Sequence, residues 1–373
     1  MITGGGKRCV VTGGAGFIGS HLVTRLLADG HQVVVLDNFS TGRAENLAHL
    51  GPEPRLRIVP ADVVQPHDIE PHLAGADWVF HLAALADIVP SIERPEDYHR
   101  ANVDGTVSVL EAARRGGVRR FVYAASSSCY GIPEAYPTPE TAPAQPRYPY
   151  ALTKYIGEQY VLHWAAVYGL GAVSCRFFNV YGPRSRTSGA YGAVFGVFLK
   201  QKLAGRPFTV VGDGRQTRDF TFVTDVVEAL VRAAQSSLCG EVLNVGSGRT
   251  VSVNRLVELL GGPVVYVPKR PGEPDCTLAD VTKIERLLGW RARVPLEEGV
   301  GHMLANIRAW QEAPLWTPDS IAEATRGWFE HLGRVEPRGI CEEMGTGSEP
   351  SCQCGRENAS REVPVPISSR SVP

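Results

Sequence analysis

The sequence predicts an α/β chain built on a doubly wound parallel sheet, and three observations predict it. Short apolar runs recur through the first half of the chain: "RCVVT", "QVVVLDN", "LRIVPAD", "DWVFHLAAL", "RFVYAASSS" and "AVSCRFFN". Helical stretches separate them at about the spacing of parallel crossovers. A glycine-rich turn joins the first run to the first helix. With 373 residues, 43% of them hydrophobic, the chain can bury a large two-part core.

In chain order, an apolar strand starts at Arg8, the glycine turn follows, an amphipathic helix runs to Ala28, Gly30 stops it, and a second strand ends at Asp37. After Asn179 the regular alternation weakens into "VYGPRSRTSGAYG", a helix around Val194 to Leu203, and "FTVVGDGRQTRDFTFV". These read as a smaller second lobe. "EVLNVGSG" reads as a strand returning to the sheet, so the lobe is interleaved with it. The expected division is 1–180, completed by segments near 219–248, for the first domain, and 181–333 for the lobe. The stretch 334–373, rich in Gly, Ser, Pro and Glu, is expected to be a disordered tail.

Thirty-eight Lys and Arg against 39 Asp and Glu leave a formal charge of -1, without the basic excess of a nucleic-acid binder. The eight cysteines lack paired C-x-x-C spacing, which argues against a structural metal or a disulfide framework and for cytosolic thiols. No apolar run approaches the roughly 20 residues of a membrane span. No metal site, nucleic acid or membrane is expected, and the expected location is cytoplasmic.

In "TGGAGFIGSH" the glycines Gly13, Gly16 and Gly19 sit between a strand and a helix. There, backbone N–H groups and the helix N-terminus can approach a pyrophosphate. Phe17 and Ile18 belong to the same cradle. Asp37, ending the next strand, can accept from both hydroxyls of an adenosine ribose, and its charge repels a 2'-phosphate, so NAD is favoured over NADP. Asn38 adjoins it, and Arg43 is read as a solvated loop charge. Asp62, followed by Val63, fits an adenine amino group or a turn equally well. Tyr150 follows Pro149 at a helix start, with Lys154 one turn later on the same face; alone, that spacing fits a packing ring and a solvated charge.

Taken in order, "TGGAGFIGSH", "DNFSTG", "HLAA", "NVDGT", "SSSCYG", "YPYALTK", "RFFNVYGPR", "RDFTFVTD" and "KRPGEPD" resemble the extended short-chain dehydrogenase/reductase family, in its sugar-nucleotide epimerase and dehydratase branch. The resemblance runs from about Lys7 to Ile307. It implies a Rossmann-like domain holding NAD and a smaller lobe holding a nucleotide sugar. It also implies that Tyr150 takes a sugar hydroxyl proton while hydride leaves for NAD. Lys154 supplies positive charge and binds the nicotinamide ribose, Ser126 orients the proton, and Asn102 supports the site from within a helix. By strand alternation Ser128 shares a face with Ser126 and touches the sugar, while Cys129 faces the opposite way.

Dehydratase relatives carry an Asp-Glu pair after the strand-end hydroxyl, and UDP-glucuronate decarboxylases a Glu; this chain has Ser127 and Ser128. The expected outcome is therefore 4-epimerisation, in which a C4 ketone rotates and recovers its hydride on the other face. By the same resemblance Asn179, Arg218 and Arg270 hold the diphosphate, Glu273 the uridine ribose, and the backbone near Val194 and Phe195 the uracil. Arg186 falls where UDP-glucuronate 4-epimerases carry a carboxylate clamp. UDP-glucuronate leads, followed by UDP-glucose or UDP-N-acetylglucosamine, then decarboxylation or dehydration. A non-enzymatic NAD sensor is disfavoured because Tyr150 and Lys154 are both kept. A homodimer through the helices around Val103–Arg114 and Tyr150–Tyr168 is expected by resemblance.

Overall fold

The structure is a computed structural model that describes residues 6–185 and 193–333. Arg186 and the expected tail at 334–373 lie outside the described residues. The first strand-helix-strand unit is β1 (Arg8–Thr12), α1 (Phe17–Ala28) and β2 (Gln32–Asp37). Then come β3 (Leu56–Pro60), β4 (Trp78–His81), α2 (Ile88–Glu93), α3 (Gly105–Arg115) and β5 (Arg120–Ser126). The chain continues through α4 (Pro149–Tyr168), β6 (Ala172–Phe177), α5 (Val194–Leu203), α6 (Val223–Gln235) and β7 (Glu241–Val245).

These seven strands form one sheet in the order β7-β6-β5-β4-β1-β2-β3, every neighbouring pair parallel. Valine-rich strands such as "QVVVLD" suit this arrangement, because a parallel sheet is covered on both faces and β-branched side chains fill both. Leu22 and Leu26 of α1 join Val226 and Leu230 of α6 on one face; Val109 and Leu110 of α3 join Val161 of α4 on the other. The chain steps outward from β1 to β3 and then crosses back to β4. That reversal opens a crevice at the carboxyl ends of β1 and β4, where open α/β sheets bind ligands.

As expected, Glu241–Val245 returns to the sheet, pairing with β6. A separate aromatic cluster, with Tyr181, Phe195, Phe198, Phe208, Phe220 and Phe222, packs the segment after the sixth strand. Tyr181 and Phe195 stack with centroids 4.7 Å apart. None of the described helices is long and apolar enough to cross a membrane.

The expected strand alternation past Ser126 does not occur. β5 stops there, and Ser127–Tyr130 turns into a single 3-10 turn capped by the Ser126 side chain, which accepts from the Ser128 N–H. Cys129 is buried beside Tyr130, Phe178 and Ala279 because the turn, not the pleat, directs it inward. Burial pushes its thiol up to about 12.

Candidate active site

A cavity of about 690 Å3 opens over the sheet's switch point. Gly13, Gly16, Phe17, Ile18, Gly19, Asp37, Asn38, Asp62 and Val63 line one end; Ser126, Ser127, Ser128, Tyr150 and Lys154 line it further on, as do Asn179, Val194, Arg218, Arg270 and Glu273. Residues spread over 260 positions of sequence thus meet in one space.

The glycine turn is a cradle that side chains would fill. Gly13 has a left-handed φ of 69°, and a Cβ there would come within 2.7 Å of the Ala83 amide nitrogen. A Cβ on Gly19 would collide with the Gly13 carbonyl oxygen. Gly16 caps α1 without any side-chain hydrogen bond, leaving the helix's first amides facing the cavity end that Gly16 lines. At the tip of β2 the Asp37 carboxylate accepts from the Ala15 and Phe39 amides at 2.9 and 2.8 Å. Burial raises its pKa and those two amides oppose the rise. Arg43, expected in solvent, lines the cavity and donates to Asn46 Oδ1 at 3.1 Å. A glycine cradle at a helix N-terminus followed by a strand-end carboxylate fits a dinucleotide.

Tyr150 and Lys154 lie on the first turns of α4, set by Pro149 at the helix start. Ser126 Oγ and Ser128 Oγ are 2.8 Å apart, so the turn achieves what alternation was expected to provide. Burial raises the Tyr150 phenol, a hydrogen bond with Ser126 opposes this, and the charge of Asp87 adds to the rise. Burial lowers Lys154 to about 7, with the Glu158 carboxylate opposing, and Lys154 Nζ sits 4.3 Å from the Tyr123 ring centroid. The Ser126 hydrogen bond is thus one group in the structure that favours the ionised Tyr150 phenol.

Asn102 does not line the cavity. It lies in a π-helical segment, Arg100–Asp104, and is fully buried. Its Nδ2 donates to Leu85 O (2.9 Å) and Thr153 Oγ1 (3.0 Å), while its Oδ1 accepts from the Leu85 N–H (2.8 Å). Its amide therefore ties the cavity-lining loop at Leu85 to the helix carrying Tyr150. Beneath them, Glu158 and Arg176 form a buried pair: Arg176 Nη2 donates to Glu158 Oε1 at 2.5 Å, Nε to Oε2 at 3.0 Å, and Ser174 Oγ to Oε2 at 2.9 Å.

At the far end Arg218 Nη2 donates to Glu273 Oε1 at 2.8 Å, and Arg270 lies 3.6 Å from the other carboxylate oxygen. Two guanidinium groups share one acid. Asn179 Oδ1 accepts from Thr277 Oγ1 at 2.8 Å. Val194 lines the cavity, whereas Phe195 does not, because its ring is spent on Tyr181.

Sequence reasoning missed several cavity-lining residues, among them Tyr148, Arg147 and Trp328. Tyr148 stacks nearly parallel to Tyr150, 6.5 Å between centroids. Arg147 has a buried Nε with no hydrogen-bond partner, and its stem lies over Gly131, where an added Cβ would sit 3.4 Å from Arg147 Cγ. Trp328, on α7 (Arg326–Leu332), reaches the cavity from beyond the resemblance. A charged residue three positions before Tyr150 was a signal for Arg147; nothing local pointed to Trp328.

The NAD dependent epimerase/dehydratase family matches residues 9–246, and the chain belongs to it, with NAD as cofactor. A UDP-glucose 4-epimerase of Mycolicibacterium smegmatis is 42% identical over 302 residues, covering 79% of this chain and 96% of the relative. Among solved structures, a UDP-N-acetylglucosamine 4-epimerase from Methanobrevibacter ruminantium M1, in complex with UDP-N-acetylmuramic acid, superposes with a TM-score of 0.76 at 33% identity, covering 81% of this chain and 99% of that one. A UDP-glucuronic acid 4-epimerase from Bacillus cereus, in complex with UDP-glucuronic acid and NAD, gives 0.76 at 31% identity over the same shares.

Proposed function

We propose that this protein is a UDP-sugar 4-epimerase. The observation that carries the reading is the turn after β5: beside Tyr150 it presents the hydroxyls of Ser126, Ser127 and Ser128, where a decarboxylase or dehydratase would need a carboxyl group. NAD in the glycine cradle supplies reversible oxidation of the sugar at C4. Tyr150 removes and returns the C4 hydroxyl proton, Ser126 orients it, and Lys154 supplies the compensating charge. With no acid or base in the turn to divert the C4 ketone, it is reduced again from either face.

In this reading Gly13, Gly16, Phe17, Ile18, Gly19, Asp37, Asn38, Asp62 and Val63 hold NAD, and Asn102 steadies the loop beside it. Asn179, Arg218 and Arg270 take the diphosphate, as guanidinium forks suit phosphate oxygens. Glu273 takes the uridine ribose, and the backbone of Val194 and Phe195 the uracil, so 181–333 serves mainly the nucleotide sugar. Exposed Leu152, Tyr160, Val167 and Tyr168 on α4 support a homodimer through that helix and α3.

UDP-glucuronate is the leading substrate, on the Arg186 position and on Arg147, a cavity-lining guanidinium suited to a carboxylate. UDP-glucose is the second reading, supported by the relative at 42% identity. The test is incubation with UDP-glucuronate, UDP-glucose and UDP-N-acetylglucosamine without added NAD, resolving the products. Interconversion of 4-epimers is expected. A pentose or free 4-keto sugar as sole product would overturn the reading and direct attention to Asp87, the cavity-lining carboxylate acting on Tyr150.

A further inference from the structure

We propose that Trp328 is a substrate-positioning residue, joining the phosphate-facing arginines to the aromatic wall beside Tyr150. The inference rests on the reading of the cavity as a nucleotide-sugar site. Trp328 belongs to a helix that neither the family match, ending at 246, nor the sequence motifs reach. It is 3% exposed and lines the cavity.

Three contacts fix its ring. The indole Nε1–H donates to Pro271 O at 2.7 Å, pinning the loop that carries Arg270 and Glu273. The Arg270 guanidinium carbon lies 5.5 Å from the ring centroid, within cation–π range. The Tyr148 ring lies 6.1 Å away at 44°, and Tyr148 in turn stacks on Tyr150. One side chain therefore touches both the charged chain Arg270–Glu273–Arg218 and the tyrosine pair.

The physical consequence is orientation. A guanidinium with a carboxylate on one side and an indole face on the other is held in plane, so less motion is lost when it meets a phosphate. The indole also walls the cavity beside Tyr148, limiting where a sugar ring can lie. Trp328 acts through Arg270 and Tyr148 and leaves proton transfer at Tyr150 to the groups already named. Its removal must therefore weaken binding more than turnover.

The experiment compares the full-length parent with Trp328→Leu and Trp328→Phe, measuring UDP affinity by titration calorimetry, KM and kcat on the accepted UDP-sugar, and Tm. Trp328→Leu is expected to weaken UDP binding and raise KM about tenfold, with kcat changed less than about threefold. Trp328→Phe keeps a ring beside Arg270 and is expected to recover most of the affinity, even if the leucine variant fails to fold. Parent-like UDP affinity and KM in Trp328→Leu, or in Trp328→Met where the leucine variant does not fold, would overturn the proposal, as would a loss of kcat and Tm at unchanged UDP affinity. A parent that turns over UDP-sugars while both variants match it sinks this inference alone; a parent that binds no UDP removes the functional reading with it.

Discussion

The two ends of the cavity are built by different means. The cradle end uses backbone: a glycine turn, the amides of a helix start, and one carboxylate tied to two further amides, all from a stretch of about thirty residues ending at Phe39. The far end uses side chains brought from distant sequence, with Arg218 bonded to Glu273, Arg270 near the same acid, and Trp328 behind them. A backbone cradle is fixed by the fold and tolerates change only where glycine is not required. An end made of paired side chains can be retuned residue by residue, so substrate choice belongs there.

Between them sits the Tyr150 group, where the largest effect is expected. Tyr150→Phe should slow interconversion on the order of ten-thousandfold while leaving the protein's NAD content unchanged, since the cradle does not depend on the phenol. Epimer ratios followed by NMR, with NAD quantified after denaturation, would decide; a variant as fast as the parent would break the division of labour.

The next effect concerns the frame under both ends. Glu158 and Arg176 have side chains only 1% and 6% exposed, so Glu158→Gln leaves a buried guanidinium without its counter-charge. A loss of about 3–5 kcal/mol in unfolding free energy is expected, read by urea denaturation. A loss below about 1 kcal/mol would show that Ser174 and the surrounding groups suffice to hold the arginine.

A pH dependence follows from Lys154, whose folded value near 7 lies below its ordinary 10.5. Between those values the unfolded chain binds more protons than the folded one, so this group's contribution raises stability as pH climbs from 7 towards 10.5. Below 7 the buried charge exerts its full penalty. Lys154→Met, freed of NAD, should therefore gain Tm over the equally treated parent most below pH 7 and least near pH 10.5. A gain that ignores pH would mean the ammonium is hydrated rather than buried.

The sequence carried the cradle end far more fully than the other. Glycine spacing, an apolar strand and Asp37 are neighbours in the chain, so their geometry follows from local rules. The sheet was legible for the same reason, each strand being an apolar run with a helix after it. The serine turn was not: a strand and a 3-10 turn can both follow "YAAS", and only the capping bond from Ser128 N–H to Ser126 Oγ separates them. Asn102 was placed inside a helix correctly, but its amide is consumed by Leu85 and Thr153. The aromatic wall could not be read at all, since Trp328 meets Tyr148 across 180 positions through packing that no periodicity encodes.

The smallest effect tests whether the far end selects charge as well as shape. Arg147 lies between the Gly131 backbone and Tyr148, two residues from Pro149, with a buried Nε that has no hydrogen-bond partner. Arg147 also lines the cavity, where a carboxylate on the sugar would gain an ion pair with its guanidinium that a neutral hexose would not. Arg147→Met keeps the aliphatic stem over Gly131 and removes the guanidinium. Turnover per unit concentration of UDP-glucuronate should fall about tenfold, while that of UDP-glucose stays within about twofold of the parent. Equal losses on both sugars would make Arg147 a packing residue and leave the carboxylate to Arg186; a gain on the neutral sugar alone would place charge selection at this side chain.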